Sequence, residues 1–195
     1  MLLAIDTSAG TSVALVDPES GIVAQADSDD PRGHAERIGS FIERVLDGGP
    51  VLTGVVVGMG PGPFTGLRVG IAAARAFAFG RGVPVLPLVS HDALAWGIEE
   101  PVLVTTDARR REVFWSAYDG LDADRIPVRV EGPSLAKALA PSARRRIDAL
   151  SVSAGDLGLL AAALLRAGRP FAADEPLYLR SPDVTPSAGP KRVTG

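Results

Sequence analysis

The sequence predicts an α/β protein of two unequal lobes, each opening with short strands and continuing in strand–helix units. Three observations carry this. Short apolar runs alternate with turn signals at the start of the chain, apolar residues recur at helical spacing from residue 34, and the same order restarts near residue 102.

Residues 2–5 (Leu-Leu-Ala-Ile) read as a strand ending at Asp6, and Thr7 to Ser12 as a polar turn. Residues 13–17 form a second strand. Pro18-Glu19-Ser20-Gly21 is a strong turn signal, and Ile22 to Ala26 gives a third strand, which implies an antiparallel meander. From His34 to Leu46, Ile38, Phe41, Ile42, Val45 and Leu46 fall at i, i+3, i+4, i+7 and i+8, one stripe of a helix that Asp47-Gly48-Gly49-Pro50 stops. Val51 to Val57 is a mostly apolar strand, as expected where both faces are covered. A Gly- and Pro-rich loop leads into a helix from Gly66 to about Gly80, followed by a strand from Val83 to Val89 and a short helix from His91 to Ile98. A meander followed by βα units is the order of a ribonuclease-H-like lobe, the actin-like (ASKHA) class.

The second half repeats the order in compressed form. Val102 to Thr106 is a strand ending at Asp107, Arg109 to Arg111 a basic turn, and Glu112 to Tyr118 an alternating strand. Ile126 to Val130 is a third strand, Ser134 to Ala140 a weak helix, Ile147 to Ser153 a strand and Asp156 to Ala167 a good helix. The expected division is a lobe at 1–101 and a smaller lobe at 102–195, whose Pro-, Ser- and Gly-rich tail beyond Arg180 reads as flexible.

Composition narrows the function. Net charge is −3, which argues against a generally basic nucleic-acid-coating surface. There is no cysteine, which removes disulfides, thiolate metal sites and a cysteine nucleophile together. The N-terminus lacks a basic leader, and no apolar stretch reaches the ~20 residues of a membrane helix, so a cytoplasmic protein with no membrane partner is expected.

Asp6 and Asp107 end corresponding strands. In actin-like enzymes such acids hold a metal-bound nucleotide while hydroxyl-rich turns cradle its phosphates, which makes Asp6, Thr7 and Ser8 candidate nucleotide or phosphate contacts. The alternative function is accordingly a phosphoryl-transfer enzyme or metal-dependent nuclease using Asp6 and Asp107. Against it, Asp6 also suits a turn-capping role, and no obvious companion carboxylates converge. The loop Gly58-Met59-Gly60-Pro61-Gly62-Pro63-Phe64-Thr65 matches neither a Walker A loop nor a dinucleotide fingerprint, and Pro61 and Pro63 lack N–H donors. It reads as a stiff turn that aims the next helix.

That helix is unusual. Gly66, Gly70, Ala74 and Ala78 form a stripe of small residues, other positions are apolar, and only Arg68 and Arg75 are charged. A helix apolar nearly all round needs cover on two sides. Packing within the lobe and a partner interface remain equally open on these grounds. His34 has Ile38 where a metal-binding His-x-x-x-His would place its second ligand, and His91 stands alone, so both histidines read as solvated helix-start residues and no metal site is expected. Trp96, Phe114, Trp115 and Tyr118 read as core or hinge packing, and the Arg109–Arg111 tip as a solvated turn or a contact for RNA or an acidic partner.

Several segments together carry a resemblance: Leu3-Ala4-Ile5-Asp6-Thr7-Ser8, Gly33-His34-Ala35-Glu36-Arg37, the block from Gly58 to Phe79, Thr106 to Trp115, and Glu175-Pro176-Leu177-Tyr178-Leu179-Arg180. In this order and spacing the chain resembles the TsaB (YeaZ) family of bacterial tRNA threonylcarbamoyladenosine biosynthesis proteins. The resemblance implies two actin-like lobes and a non-catalytic paralogue of TsaD, the subunit that transfers threonylcarbamoyl to the adenosine beside the anticodon. TsaD carries a His-x-x-x-His on its first lobe, of which this chain has only His34.

The resemblance further implies a heterodimer with a TsaD-type subunit through helices of the first lobe, a TsaE-type ATPase, tRNA reached through the complex, and a homodimer when alone. No catalytic residue is expected. No bound cofactor is assigned, with ATP or ADP and magnesium confined to the assembled complex. The expected interface comprises His34, Ile38, Phe41, Gly66, Arg68, Gly70, Ala74 and Phe77. On that reading Gly70→Leu should block pairing without unfolding the lobe. The glycoprotease label also attached to the family finds no protease site in this sequence.

Overall fold

The computed structural model describes residues 1–30, 33–140 and 142–180, so the tail expected to be flexible lies outside the described residues. The first sheet contains β1 (Leu2–Asp6), β2 (Thr11–Asp17), β3 (Gly21–Ser28), β4 (Gly54–Gly58) and β5 (Val85–Leu88), in the order β3-β2-β1-β4-β5. β3-β2-β1 are antiparallel, while β4 and β5 run parallel to β1. Tight turns can join antiparallel strands, whereas the parallel ones need crossovers. The crossovers are α1 (His34–Val45) and α2 (Phe64–Arg81), and α3 (Ser90–Leu94) follows β5.

The second sheet contains β6 (Pro101–Asp107), β7 (Val113–Leu121), β8 (Pro127–Ala136) and β9 (Arg145–Ala149), and α4 (Ala154–Arg166) follows it. Its order, β8-β7-β6-β9, with only β9 parallel to β6, reproduces the first four strands of the first sheet. The expected helix at Ser134–Ala140 is absent. Ser134, Leu135 and Ala136 instead pair with Trp115, Phe114 and Val113. So short a helix is marginal without tertiary support, and the ladder to β7 takes its backbone groups.

Each face of the first sheet has its own core. Leu3, Ile5, Val13, Leu15, Val55 and Val57 pack beneath α1 and α2, meeting Ile38, Val45, Leu67 and Ile71. The opposite face, with Leu2, Ala4, Ala14, Val16 and Val56, packs against α4 through Leu157, Leu160, Ala161 and Leu164. The core on this face thus draws on both halves of the sequence, because α4 crosses back to the first sheet. Its start is held by polar contacts: the Ala154 N–H donates to Ser12 Oγ at 2.8 Å, the Gly155 N–H to Gln25 Oε1 at 3.1 Å, and Ser153 caps the Asp156 N–H at 3.1 Å. Gly158 permits the close approach, since a Cβ there would sit 2.5 Å from Val16 Cγ2.

Candidate functional site

The turn after β1 is a closed polar knot. Asp6 is 1% exposed, and its Oδ1 accepts the Ser8 N–H at 2.7 Å and the Ser8 hydroxyl at 2.6 Å. Its Oδ2 has no hydrogen-bond partner among the described residues and lies against Gly58, where any Cβ would overlap it. The Ser90 hydroxyl, which accepts the Gly60 N–H at 3.0 Å, stands beside it. Burial pushes the Asp6 carboxyl above the ordinary carboxylate range, against the pull of the hydrogen bonds from Ser8.

Thr7 and Ser8 are equally engaged. The Thr7 hydroxyl donates to the Gly66 carbonyl at 2.7 Å and accepts the Gly70 N–H at 3.1 Å. The glycine loop lies directly on this turn, with the position of a Gly62 Cβ only 2.6 Å from the Ser8 carbonyl oxygen. A phosphate cradle needs N–H groups and hydroxyls aimed at open space. Here they are turned onto Asp6 and α2, so Asp6, Thr7 and Ser8 do not fit a nucleotide phosphate. Asp107 lies in the other sheet, exposed, its Oδ1 accepting the Arg109 N–H at 2.8 Å. Among the described residues no three His, Asp or Glu side chains gather to hold a metal ion.

The histidines serve the fold. His34 is half-buried, its Nδ1 2.7 Å from the Thr11 hydroxyl, and Nε2 faces Gly66 of α2. His91, expected to be solvated, is fully buried in α3. Its Nδ1 and Nε2 lie 2.9 and 3.0 Å from the hydroxyls of Ser116 and Thr106. Burial lowers its pKa to about 3, with the nearby Arg129 guanidinium acting in the same direction, so the ring is neutral. The short α3 is wedged between the sheets, which is why a residue at a helix start is dry.

α2 divides into three strips. Gly66, Leu67, Gly70, Ile71, Ala74 and Ala78 are buried within the lobe. Val69, Ala73 and Phe77 are half-buried, as is Phe41 of α1, while Ile38 is buried. Arg68, Ala72, Arg75, Ala76 and Phe79 face outward. The small-residue stripe assigned to a partner interface thus faces inward: Gly66 and Gly70 let α2 approach the Thr7 turn, and Ala74 and Ile38 belong to the core. Of the interface expected from sequence, Arg68 is exposed and His34, Phe41 and Phe77 partly so. Phe79, 91% exposed, is not among them. The signal for it was in the sequence, since Arg68 and Arg75 mark the solvent face and Ala72, Ala76 and Phe79 share it.

Three phenylalanines of these helices lie under arginines: Arg44 over Phe41 at 5.5 Å, Arg68 over Phe64 at 5.2 Å and Arg81 over Phe77 at 5.2 Å. The outward surface is therefore apolar with a cationic rim. No helix among the described residues is long and apolar enough to cross a membrane.

Known proteins agree with this architecture. A family model described as "TsaD: tRNA N6-adenosine threonylcarbamoyltransferase" matches residues 12–148. The chain is 38% identical over 201 aligned positions to an uncharacterized protein of Mycobacterium tuberculosis, covering 96% of this chain and 95% of that one. It is 35% identical over 127 positions to the tRNA threonylcarbamoyladenosine biosynthesis protein TsaB of Escherichia coli, covering 60% of this chain and 54% of that one. The solved structure of YeaZ from Pseudomonas aeruginosa superposes with a TM-score of 0.77 at 27% identity, covering 91% of this chain and 99% of that one. Two actin-like lobes with a shortened second sheet, and a sequence match across most of their length, make this chain a member of the TsaD family of tRNA N6-adenosine threonylcarbamoyltransferase relatives, in its TsaB (YeaZ) branch.

Proposed function

We propose that this chain is the non-catalytic TsaB-type subunit of a cytoplasmic assembly that installs threonylcarbamoyl on the adenosine beside the anticodon of tRNAs. In this role it pairs with a TsaD-type catalytic subunit, a TsaE-type ATPase joins them, and the chain self-associates when its partner is scarce. The observation that carries the reading is the outward strip of α2. Phe79 is 91% exposed on a turn-spaced face with Ala72 and Ala76, rimmed by Arg68 and Arg75. An uncovered aromatic on an apolar strip is more favourably placed against another protein than in water. A non-catalytic role is supported by the first lobe itself. His34 is held by Thr11, Ile38 fills the position of a second metal ligand, and the Asp6 knot offers nothing to a substrate.

The test is light scattering coupled to size-exclusion chromatography, with this chain alone and mixed with the TsaD-type subunit of the same cell. A one-to-one mixed complex that modifies tRNA only when both chains are present is the expected result. Separate elution of the two, with nucleotide and the ATPase subunit also present, would overturn the reading.

A further inference from the structure

Where α4 ends, segments from distant parts of the chain meet around a cavity of about 230 Å³. Past α4, Gly168 turns the chain with φ of 63°, and Arg169 pairs with Asp122 at 2.9 Å and Asp124 at 3.3 Å in the turn before β8. Asp122 Oδ1 in turn accepts the N–H groups of Asp124 and Ile126, both at 3.0 Å. The chain then crosses to β5, where the Ala172 N–H donates to the Pro87 carbonyl at 3.0 Å. Each wall is thus held by its own polar contacts, and the space between them is built into the fold.

Leu88, Val89, Ile126, Leu160, Leu164 and Phe171 give the cavity an apolar body. Its polar end is Asp92 of α3 and Arg129 of β8. The Tyr118 hydroxyl donates to Asp92 Oδ1 at 2.7 Å, which fixes the carboxylate in place. Arg129 Nε lies 3.6 Å from the same oxygen, an ion pair too long to be a hydrogen bond. The two side chains are 29% (Arg129) and 21% (Asp92) exposed. Among the described residues the Arg129 guanidinium donates no hydrogen bond, and Asp92 Oδ2 accepts none. A cation and an anion therefore stand side by side at the end of an apolar cavity, each with hydrogen-bonding capacity left over.

An apolar cavity of about 150 Å³ holds benzene, so this one has room for a leucine or phenylalanine side chain. It is smaller than the sites of drug-sized ligands, which start at about 300 Å³. The planar fork of an arginine matches a carboxylate. A carboxylate alone would also face Asp92, and at short range like charges repel. A ligand that carries an ammonium next to its carboxylate turns that repulsion into attraction. We propose that this cavity binds a free α-amino acid with an apolar side chain, its carboxylate on Arg129, its ammonium on Asp92 and its side chain against Leu88, Leu160 and Leu164. The cavity lies on the α4 face of the first sheet, opposite α2, so the inference stands apart from the partner role proposed above.

The experiment is titration calorimetry on the full chain with L-leucine and L-phenylalanine. Isocaproate, which is leucine without its amino group, and isoamylamine, which is leucine without its carboxylate, serve as comparators. At least one of the two amino acids should bind, and both comparators should bind more weakly than L-leucine by about tenfold or more, since each leaves one charged group of the site without its partner. Arg129→Met keeps the length of the side chain without its charge and should abolish binding. Asp92→Asn keeps an oxygen for the Tyr118 hydroxyl. It should weaken the amino acid while strengthening isocaproate, a reversal that a merely structural role for Asp92 would not produce. Amide resonances of Ile126, Leu164 and Ala172 should shift as L-leucine is added to the wild-type chain, which locates the site even where a variant fails to fold.

No binding of either amino acid by the folded wild-type chain would overturn the proposal. So would unchanged affinity in a folded Arg129→Met protein, or resonance shifts confined to other parts of the molecule. Isocaproate binding as tightly as L-leucine would mean a site for simple organic acids, and isoamylamine doing so a site for amines; either result makes the proposal wrong.

Discussion

The Thr7 hydroxyl accepts the N–H of Gly70 at 3.1 Å while donating to the carbonyl of Gly66, four residues earlier on α2. A helix interior normally has no spare N–H, so the Thr7 oxygen bridges the ladder at a point where the helix touches the strand-end turn. A Cβ at position 70 would overlap this oxygen and lie 3.1 Å from Thr7 Cβ. Gly70 is therefore a steric requirement of the lobe.

Gly70→Ala should destabilise the protein by about 1–3 kcal/mol through overpacking, and Gly70→Leu should prevent the lobe from folding rather than selectively block pairing. In a Thr7→Ala background the cost of Gly70→Ala should shrink, because the obstructing oxygen is gone. A double-mutant cycle by urea denaturation reads this coupling. Additive effects would show that the two residues do not meet in solution.

Phe79 gives the contrasting case. At 91% exposure it contributes little to the fold, so Phe79→Asp should change stability by no more than about 0.5 kcal/mol. The same variant should weaken association with the catalytic subunit at least tenfold by titration calorimetry, since burying a carboxylate in an apolar contact is costly. Wild-type affinity in a folded Phe79→Asp protein would move the interface off this face of α2.

Most of the architecture was legible in the sequence, because hydrophobic periodicity and turn chemistry act locally. The meander, both crossover helices and the repeat of strand order follow from spacing alone. What periodicity does not carry is the destination of a buried face. The stripe Gly66-Gly70-Ala74-Ala78 announces a close approach, yet nothing in it says whether the neighbour is another chain or the hydroxyl of Thr7. The same holds for α4, whose Leu- and Ala-rich sequence marks a covered helix without saying that β1 and β2 cover it. His91 looked solvated for the opposite reason: its partners, Ser116 and Thr106, come from strands that only the fold brings to α3.

That buried histidine makes stability depend on pH. Its folded pKa of about 3 lies below the unfolded value of 6.5, so below pH 6.5 only the unfolded chain takes up the proton. Stability then falls with pH, by about 2 kcal/mol on reaching about pH 5. Asp6 and Asp92 act in the opposite sense. Burial raises both carboxyls, so the stability their protonation confers is full below 3.8 and is lost as pH rises through the raised values. The contribution of His91 is isolated by comparison with His91→Gln, whose amide offers a donor and an acceptor to Ser116 and Thr106 without titrating. The wild-type advantage in urea midpoint should shrink steadily as pH drops from neutrality toward about 5. Parallel curves for the two proteins would mean the ring already gains its proton in the fold.

The return of α4 to the first sheet sets what can fold alone. A fragment of residues 1–101 keeps all five strands of that sheet and the helices α1 to α3, yet leaves Leu2, Ala4, Ala14, Val16 and Val56 without their cover. Leu157, Leu160 and Leu164 of α4 are 0%, 1% and 7% exposed, and burying each contributes about 2 kcal/mol. Their joint loss is comparable to the whole stability of an ordinary domain, about 5–15 kcal/mol. The fragment should therefore bind a hydrophobic dye and show no cooperative thermal transition, while the chain to residue 180 melts cooperatively. A milder version places the cost on one side chain: Leu160→Ala should lower stability by about 2–5 kcal/mol, although residue 160 lies outside the first half of the sequence. A fragment 1–101 that melts cooperatively with dispersed amide resonances would mean that the first lobe is complete without α4.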